Sequence, residues 1–301
     1  MDPEYVKMAY TSSTNVVVPV KKPASPFSEA AVGEIKLMKS WANKKLSDIA
    51  FGLTYTLSIN GSNDLLRKAF NNSSTGVLNA LKTMTLAGGC FASYLQGSNP
   101  NDFDLFIDAS NPNYLNMLNL MIEIGKKVES YKKVGDFDVY EVDLNVDRNK
   151  AKLAYDIKDK VQVIFLKSMD TSSVRNSADL WVKSFPFEHT KISLKEDKLQ
   201  ITPLSFYAAK TMALVFDLSK KAPATRYMEK FLNRGYETVN YFSAQAKSIE
   251  YSANYTIPKP MEIEEIMEQV LTNTYAASDY VDNNIPNKTS VLKSLIMDNA
   301  I

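Results

Sequence analysis

Asp102 and Asp104 carry the most chemistry in their spacing. They lie in the run Asn101-Asp102-Phe103-Asp104-Leu105, where acid alternates with apolar residue. On a β-strand the i, i+2 spacing puts both carboxylates on one face and sends Phe103 and Leu105 to the other. Two carboxylates that converge at the edge of a sheet repel unless something positive sits between them. One or two Mg²⁺ (or Mn²⁺) ions with a nucleoside triphosphate are the usual answer.

The elements around the pair must hold it. Thr85–Ala87 reads as a strand, Gly88-Gly89 as a corner and Cys90–Gln96 as a short helix. Ser98–Asn101 reads as a loop and Phe103–Asp108 as the strand that bears the aspartates. Upstream, Ser28 is a plausible N-cap for a helix whose apolar residues run from Val32 through Met38 and Leu46 to Ile49. Shorter helices are expected over Asp64–Phe70 and Thr75–Lys82. Downstream, Asn111-Pro112 opens a helix with the stripe Leu115, Leu118, Met121, Ile122 and Val128. Asp138–Leu144 and Val161–Leu166 read as strands, Thr171–Val182 as a helix, and Thr190–Ile201 as a hairpin around Glu196-Asp197.

From Pro203 the pattern turns helical. LSFYAAKTMALVF is apolar on most sides and therefore buried. A further helix spans Thr225–Asn233, stopped by Gly235. Arg226, Lys230 and Arg234 repeat every four residues, so they form one basic stripe; with Lys210 they are candidates to face triphosphate or a nucleic-acid backbone. The organisation expected is an extended arm over 1–27, a core with N-terminal helices over 28–202, and a helical region with a polar tail over 203–301.

Composition narrows the field. The chain has 301 residues, a net charge of +1, one cysteine and one histidine. Cys90 alone excludes an intrachain disulfide, and with His189 it gives poor support to a structural zinc site or a Ser-His-Asp triad. No apolar run reaches the length of a membrane span, and the N-terminus has no signal-peptide pattern.

The Gly-Gly corner, Ser93 and the Asp-Phe-Asp-Leu strand together resemble the DNA polymerase beta-like nucleotidyltransferase superfamily. More narrowly, the chain looks like nucleotidyltransferase-like proteins encoded by bacteriophages. Asn101–Leu105, Lys160–Phe165 with Gln162, Phe185–His189 and Arg226–Gly235 carry that likeness. The resemblance implies an α+β fold: a small mixed sheet with flanking helices, followed by a helical C-terminal region. It implies that Asp102 and Asp104 hold Mg²⁺ or Mn²⁺ and are catalytic, and that Gly88, Gly89 and Ser93 contact nucleotide. The corner glycines let phosphate approach the backbone, and the helix start offers free N–H groups. Lys210, Arg226 and Lys230 complete the expected nucleotide-binding set.

Two departures stand against it. Pro186 occupies a place where those proteins usually carry Asp, and Gln162 stands where a third carboxylate is expected; Asp143 and Glu188 are the substitutes in view. The expected function is transfer of a nucleoside monophosphate from an NTP to an acceptor hydroxyl of RNA, a small molecule or a protein. The alternative is a catalytically degenerate relative acting as a phage virion or interaction component. The expected partners are nucleotide, RNA, and phage proteins reached through the arm, with no membrane. The expected setting is the cytoplasm of a bacterial host or a virion.

Overall fold

The longest helix shows how the chain builds its core. Ser28 caps α1 (Glu29–Ile59) by accepting a hydrogen bond from the Ala31 N–H at 3.1 Å. Met38, Ala42, Leu46, Ile49, Leu53 and Leu57 are all buried on one face. The stripe read from sequence stops at Ile49, but Leu53 and Leu57 carry it on. The helix ends only where Asn60 and Gly61 (φ 81°) turn the chain. The computed structural model describes residues 25–128, 137–167, 177–216 and 225–257, with the backbone alone at 225–227. The expectations for residues 1–24, 171–176 and 258–301 lie outside the described residues.

After α2 (Asn63–Phe70) and α3 (Ser74–Lys82) the chain enters β1 (Thr85–Ala87), α4 (Gly89–Leu95) and β2 (Phe103–Asp108). It continues through α5 (Tyr114–Ile124), β3 (Lys126–Lys127), β4 (Phe137–Val146), α6 (Arg148–Ala151) and β5 (Ile157–Leu166). Next come α7 (Ala178–Lys183), a 3-10 turn at Glu188–Thr190, and the hairpin of β6 (Ser193–Lys195) and β7 (Lys198–Gln200). The hairpin turns on Glu196 and Asp197, both at positive φ (47° and 60°).

These strands form one seven-stranded sheet in the order β3-β4-β5-β2-β1-β6-β7. Strands β2 and β5 run parallel, and their neighbours run antiparallel. The fold is α+β. One face of the sheet carries Leu86, Phe103, Leu105, Val142, Leu144, Val161, Val163 and Phe165, and packs on α1 and its neighbours. Gly52 of α1 lies so close to Leu144 that a Cβ there would stand 2.9 Å from Cδ1.

The opposite face is divided. Toward the C-terminal end of β2 it is apolar: Phe106, Val139, Ile164 and Leu166 are covered by Ala178 and Val182 of α7. Toward the N-terminal end of β2 the same face turns polar, with Asp104 of β2, Gln162 of β5 and Glu141 of β4 in register. Alternation along each strand produces both halves.

The helical region begins with α8 (Pro203–Lys210), whose capping box pairs Thr202 with Ser205. The apolar run expected as one helix breaks here. Met212 adopts φ 53°, and the chain leaves as β8 (Ala213–Leu214), which pairs in parallel with β9 (Glu237–Thr238). Between them lies α9 (Thr225–Leu232), and Gly235 at φ 87° turns the chain after it. The last described helix, α10 (Tyr241–Asn254), has no counterpart in the sequence reading. Its buried residues are Ala244, Ser248 and Ser252, so it packs through small side chains and leaves no apolar period to read. The α5 stripe also shifts. Leu115 and Ile122 are 69% and 56% exposed, while Met117, Leu120 and Met121 are buried.

Candidate functional site

The corner is built around one residue. Gly88 is the N-cap of α4 at φ 93°, ψ −153°, a conformation that side-chain-bearing residues avoid. Ala87 before it pairs with Asp104, so the corner backbone lies against that side chain. A Cβ on residue 88 would stand 2.7 Å from Asp104 Oδ2, whereas one on Gly89 meets nothing within 4 Å. Gly88 is thus fixed by the carboxylate, and Gly89 faces open space.

Asp102 directly precedes β2, and Asp104 lies two residues on. Burial pushes the Asp104 carboxyl up to about 7, the charge of Asp102 adds to the rise, and Lys230 opposes it. The Cys90 thiol is buried; it donates to the Ala87 carbonyl at 3.7 Å and is pushed up by its burial and by the charge of Asp104. Two carboxyls therefore meet at this end of β2, with the Lys230 charge acting on Asp104.

Gln162 stands beside Asp104 on β5. Its amide donates to Glu141 Oε2 at 2.8 Å, and Lys160 binds Glu141 Oε1 at 2.8 Å. Glu141 lies two strands from Asp104, about 10 Å away at the usual strand spacing. It is the second carboxylate of this row and was not among the expected site residues. The alternation in DVYEVDL puts Glu141 and Asp143 on one face, which was the available signal. Hydrogen bonding from Lys160 holds the Glu141 carboxyl below its ordinary value. Asp143 is exposed and pairs in register with Lys160. Glu188 lies elsewhere, buried beside Lys191 at 2.7 Å in the 3-10 turn.

A cleft of about 350 Å³ opens above the corner. Gly89 and Ser93 of α4 line it, with Gln96, Ser98, Asn99 and Asn101 on one side and Phe231, Arg234 and Tyr236 on the other. Lys230 is exposed on α9, and its charge is felt at Asp104. Arg226 lies on the same helix, with its side chain outside the described residues. Lys210 is placed differently from the rest of the basic set. Its ammonium binds Glu34 Oε1 and the Leu95 carbonyl, each at 2.8 Å, and lies over the Tyr255 ring, so it ties α1, α4 and α8 together. Tyr207 packs edge-on to Tyr251.

His189 lies behind the cleft wall. Its ring contacts Phe231 and Tyr236 at 4.4 Å each, it is fully buried, and neither ring nitrogen has a hydrogen-bond partner. Burial, helped by the charge of Arg234, lowers its pKa to about 3, so the imidazole is neutral.

A model of the Gabija anti-defense 2 family, Gad2, matches residues 60–207. That span is a little under half of the chain. A search of curated proteins finds no match. Among solved structures, the CCA-adding enzyme in its apo form I is 13% identical with a TM-score of 0.30, over 73% of this chain and 62% of that one. That likeness is too loose to carry an argument. The Gad2 match includes Gly88, Gly89, Ser93, Asp102, Asp104, Glu141, Lys160 and Gln162. It ends before the α9 residues that form the far wall of the cleft.

Mg²⁺ is commonly held by one or two carboxylates plus substrate phosphates, with water filling the remaining positions. Asp102 and Asp104 fit that requirement, and a cation would offset the Asp102 charge that adds to the burial-driven rise of Asp104. Among the described residues, no group of three or more His, Cys, Asp or Glu side chains could hold a metal ion. None of the described helices is long and apolar enough to cross a membrane.

Proposed function

We propose that this protein is a divalent-cation-dependent nucleotidyltransferase that moves a nucleoside monophosphate from an NTP to an acceptor hydroxyl, and that it uses this activity against the Gabija defence. The observation that carries the reading is the seating of the Gly88 backbone on the Asp104 carboxylate, one residue before Gly89, which lines a cleft with Ser93 and Arg234. A phosphate chain laid along that corner lies beside the carboxylates. The Gad2 match supports the anti-defence part.

Each residue then has a task. Asp102 and Asp104 hold the cation, and Gly89 leaves room for phosphate oxygens to reach the start of α4. Ser93 donates its hydroxyl to a phosphate oxygen, while Arg234 and Lys230 offset the triphosphate charge. Mg²⁺ held by Asp102 and Asp104 would supply charge neutralisation to the transferring phosphate. The acceptor is RNA, a small molecule or a protein side chain, including a component of the defence itself.

The test is incubation with each labelled NTP, Mg²⁺ or Mn²⁺, and either mixed RNA or purified Gabija proteins. Label should transfer to an acceptor, and Asp102→Ala and Asp104→Ala should each abolish the transfer. A second reading, a binding protein of the same fold without turnover, draws on Gln162, an amide beside Asp104 where the resemblance expects a third carboxylate. Absence of label with every acceptor, together with absence of an NTP-dependent thermal shift, would favour it.

A further inference from the structure

The polar half of the sheet face holds a built-in cation. Lys160 lies on β5 at the edge of the row, opposite Asp143 of β4 and one residue before Val161, which pairs with Phe103. The side chains of 160 and 162 share a face with Asp102 and Asp104, since Phe103 and Val161 point together into the opposite core. Glu141 fixes the Lys160 ammonium at 2.8 Å, and Gln162 donates to the other oxygen of the same carboxylate. Glu141 is thereby engaged by both of its neighbours on β5. A two-ion site needs a carboxylate bridging both cations about 3.5–4 Å apart. Here the position next to Asp104 bears an amide, and the position next to Asp102 bears an ammonium.

We infer that this site takes one divalent cation rather than two, with Lys160, held by Glu141, standing as a fixed positive charge in place of the second. The inference rests on the nucleotidyltransferase reading above and specifies its ion count. A protein ammonium in that place carries charge without drawing on metal supply. It also leaves the geometry on the acceptor side set by the protein.

The experiment is Mn²⁺ titration of the full chain with a non-hydrolysable NTP analogue, followed by electron paramagnetic resonance and calorimetry. One Mn²⁺ should bind per bound analogue, with no spin-coupled pair signal. Gln162→Glu alone should remain at one ion, because the ammonium still fills the second place. Gln162→Glu combined with Lys160→Met should bind a second Mn²⁺ and show the coupled signal. A coupled pair in the wild-type protein would overturn the inference while leaving the nucleotidyltransferase reading intact. A second ion gained by Gln162→Glu alone would overturn the role given to Lys160. Failure of the wild type to bind analogue with Mn²⁺ at all would remove the underlying reading, and this inference with it. The wild-type measurement decides the ion count even if a variant fails to fold.

Discussion

Gly88 and Asp104 are in such close contact that no side chain fits between them: a Cβ at position 88 would stand 2.7 Å from Oδ2. Gly88→Ala therefore meets a steric clash and a left-handed backbone at once. It is expected to destabilise the protein by about 1–3 kcal/mol. Thermal unfolding checks the loss, and NTP binding measured on the folded fraction should fall as Asp104 is displaced.

Gly89 separates binding from folding. A Cβ there meets nothing within 4 Å, and no positive φ is required of it. Gly89→Ala should leave the melting temperature unchanged within about 0.5 kcal/mol of stability. The larger Gly89→Val intrudes on the cleft and should weaken NTP binding, measured by calorimetry, about tenfold or more. Equal NTP affinity in Gly89→Val and wild type would show that phosphate does not pass this point.

Asp104 and His189 give opposing pH dependences. The Asp104 pKa is raised to about 7 in the folded state, so the protonated form is favoured there. Its contribution to stability is complete below pH about 4 and is lost as pH rises to about 7. The His189 pKa is lowered to about 3, so its contribution is complete above pH about 6.5 and is lost as pH falls toward 3. Between pH 4 and 6.5 the two slopes partly cancel. Asp104→Asn should expose the histidine slope and make the protein more stable at pH 8. His189→Leu should expose the aspartate slope. Melting temperatures of the three proteins across pH 4–8 check both signs. Mg²⁺ should raise the wild-type melting temperature more at pH 8 than at pH 5.5, and should lose that effect in Asp104→Asn.

Lys210 and Lys230 should have opposite phenotypes. Lys210 is mostly buried between Glu34 and the Leu95 carbonyl, so Lys210→Met leaves a partly buried carboxylate without its cation. The expected cost is about 2–4 kcal/mol of stability, with NTP affinity retained. Lys230→Met removes an exposed charge felt at Asp104, so stability should hold while NTP affinity falls. Thermal melts paired with calorimetric binding distinguish the two.

Much of the fold was legible because its signals were local. Thr85–Ala87 and Phe103–Asp108 could be bounded from sequence, since a Gly-Gly corner and alternating acids mark their ends. Longer-range facts were not. Lys210 looked like a member of the basic set, and nothing near it in sequence announces Glu34. Leu115 and Ile122 fit a helical stripe, yet the sheet meets α5 one step round, at Met117, Leu120 and Met121. Glu141 was passed over because its importance lies in register, two strands from Asp104, and register is set by tertiary pairing. The small-residue face of α10 gives no periodic signal at all.

The Ser28 N–H donates to the Ser252 carbonyl at 2.8 Å, and the Ser28 hydroxyl donates to the Tyr255 carbonyl at 2.6 Å. The cap of the first described helix is thus tied to the end of the last one. During synthesis α1 leaves the ribosome well before β4, β5 and α10 exist, so until then α2 and α3 are the described helices at hand to cover its apolar face. This order of appearance ties completion of the fold to the last turn of α10. A chain cut short of Ser252 would lose both bonds to Ser28 and leave the start of α1 untied, while the sheet still covers the rest of the helix.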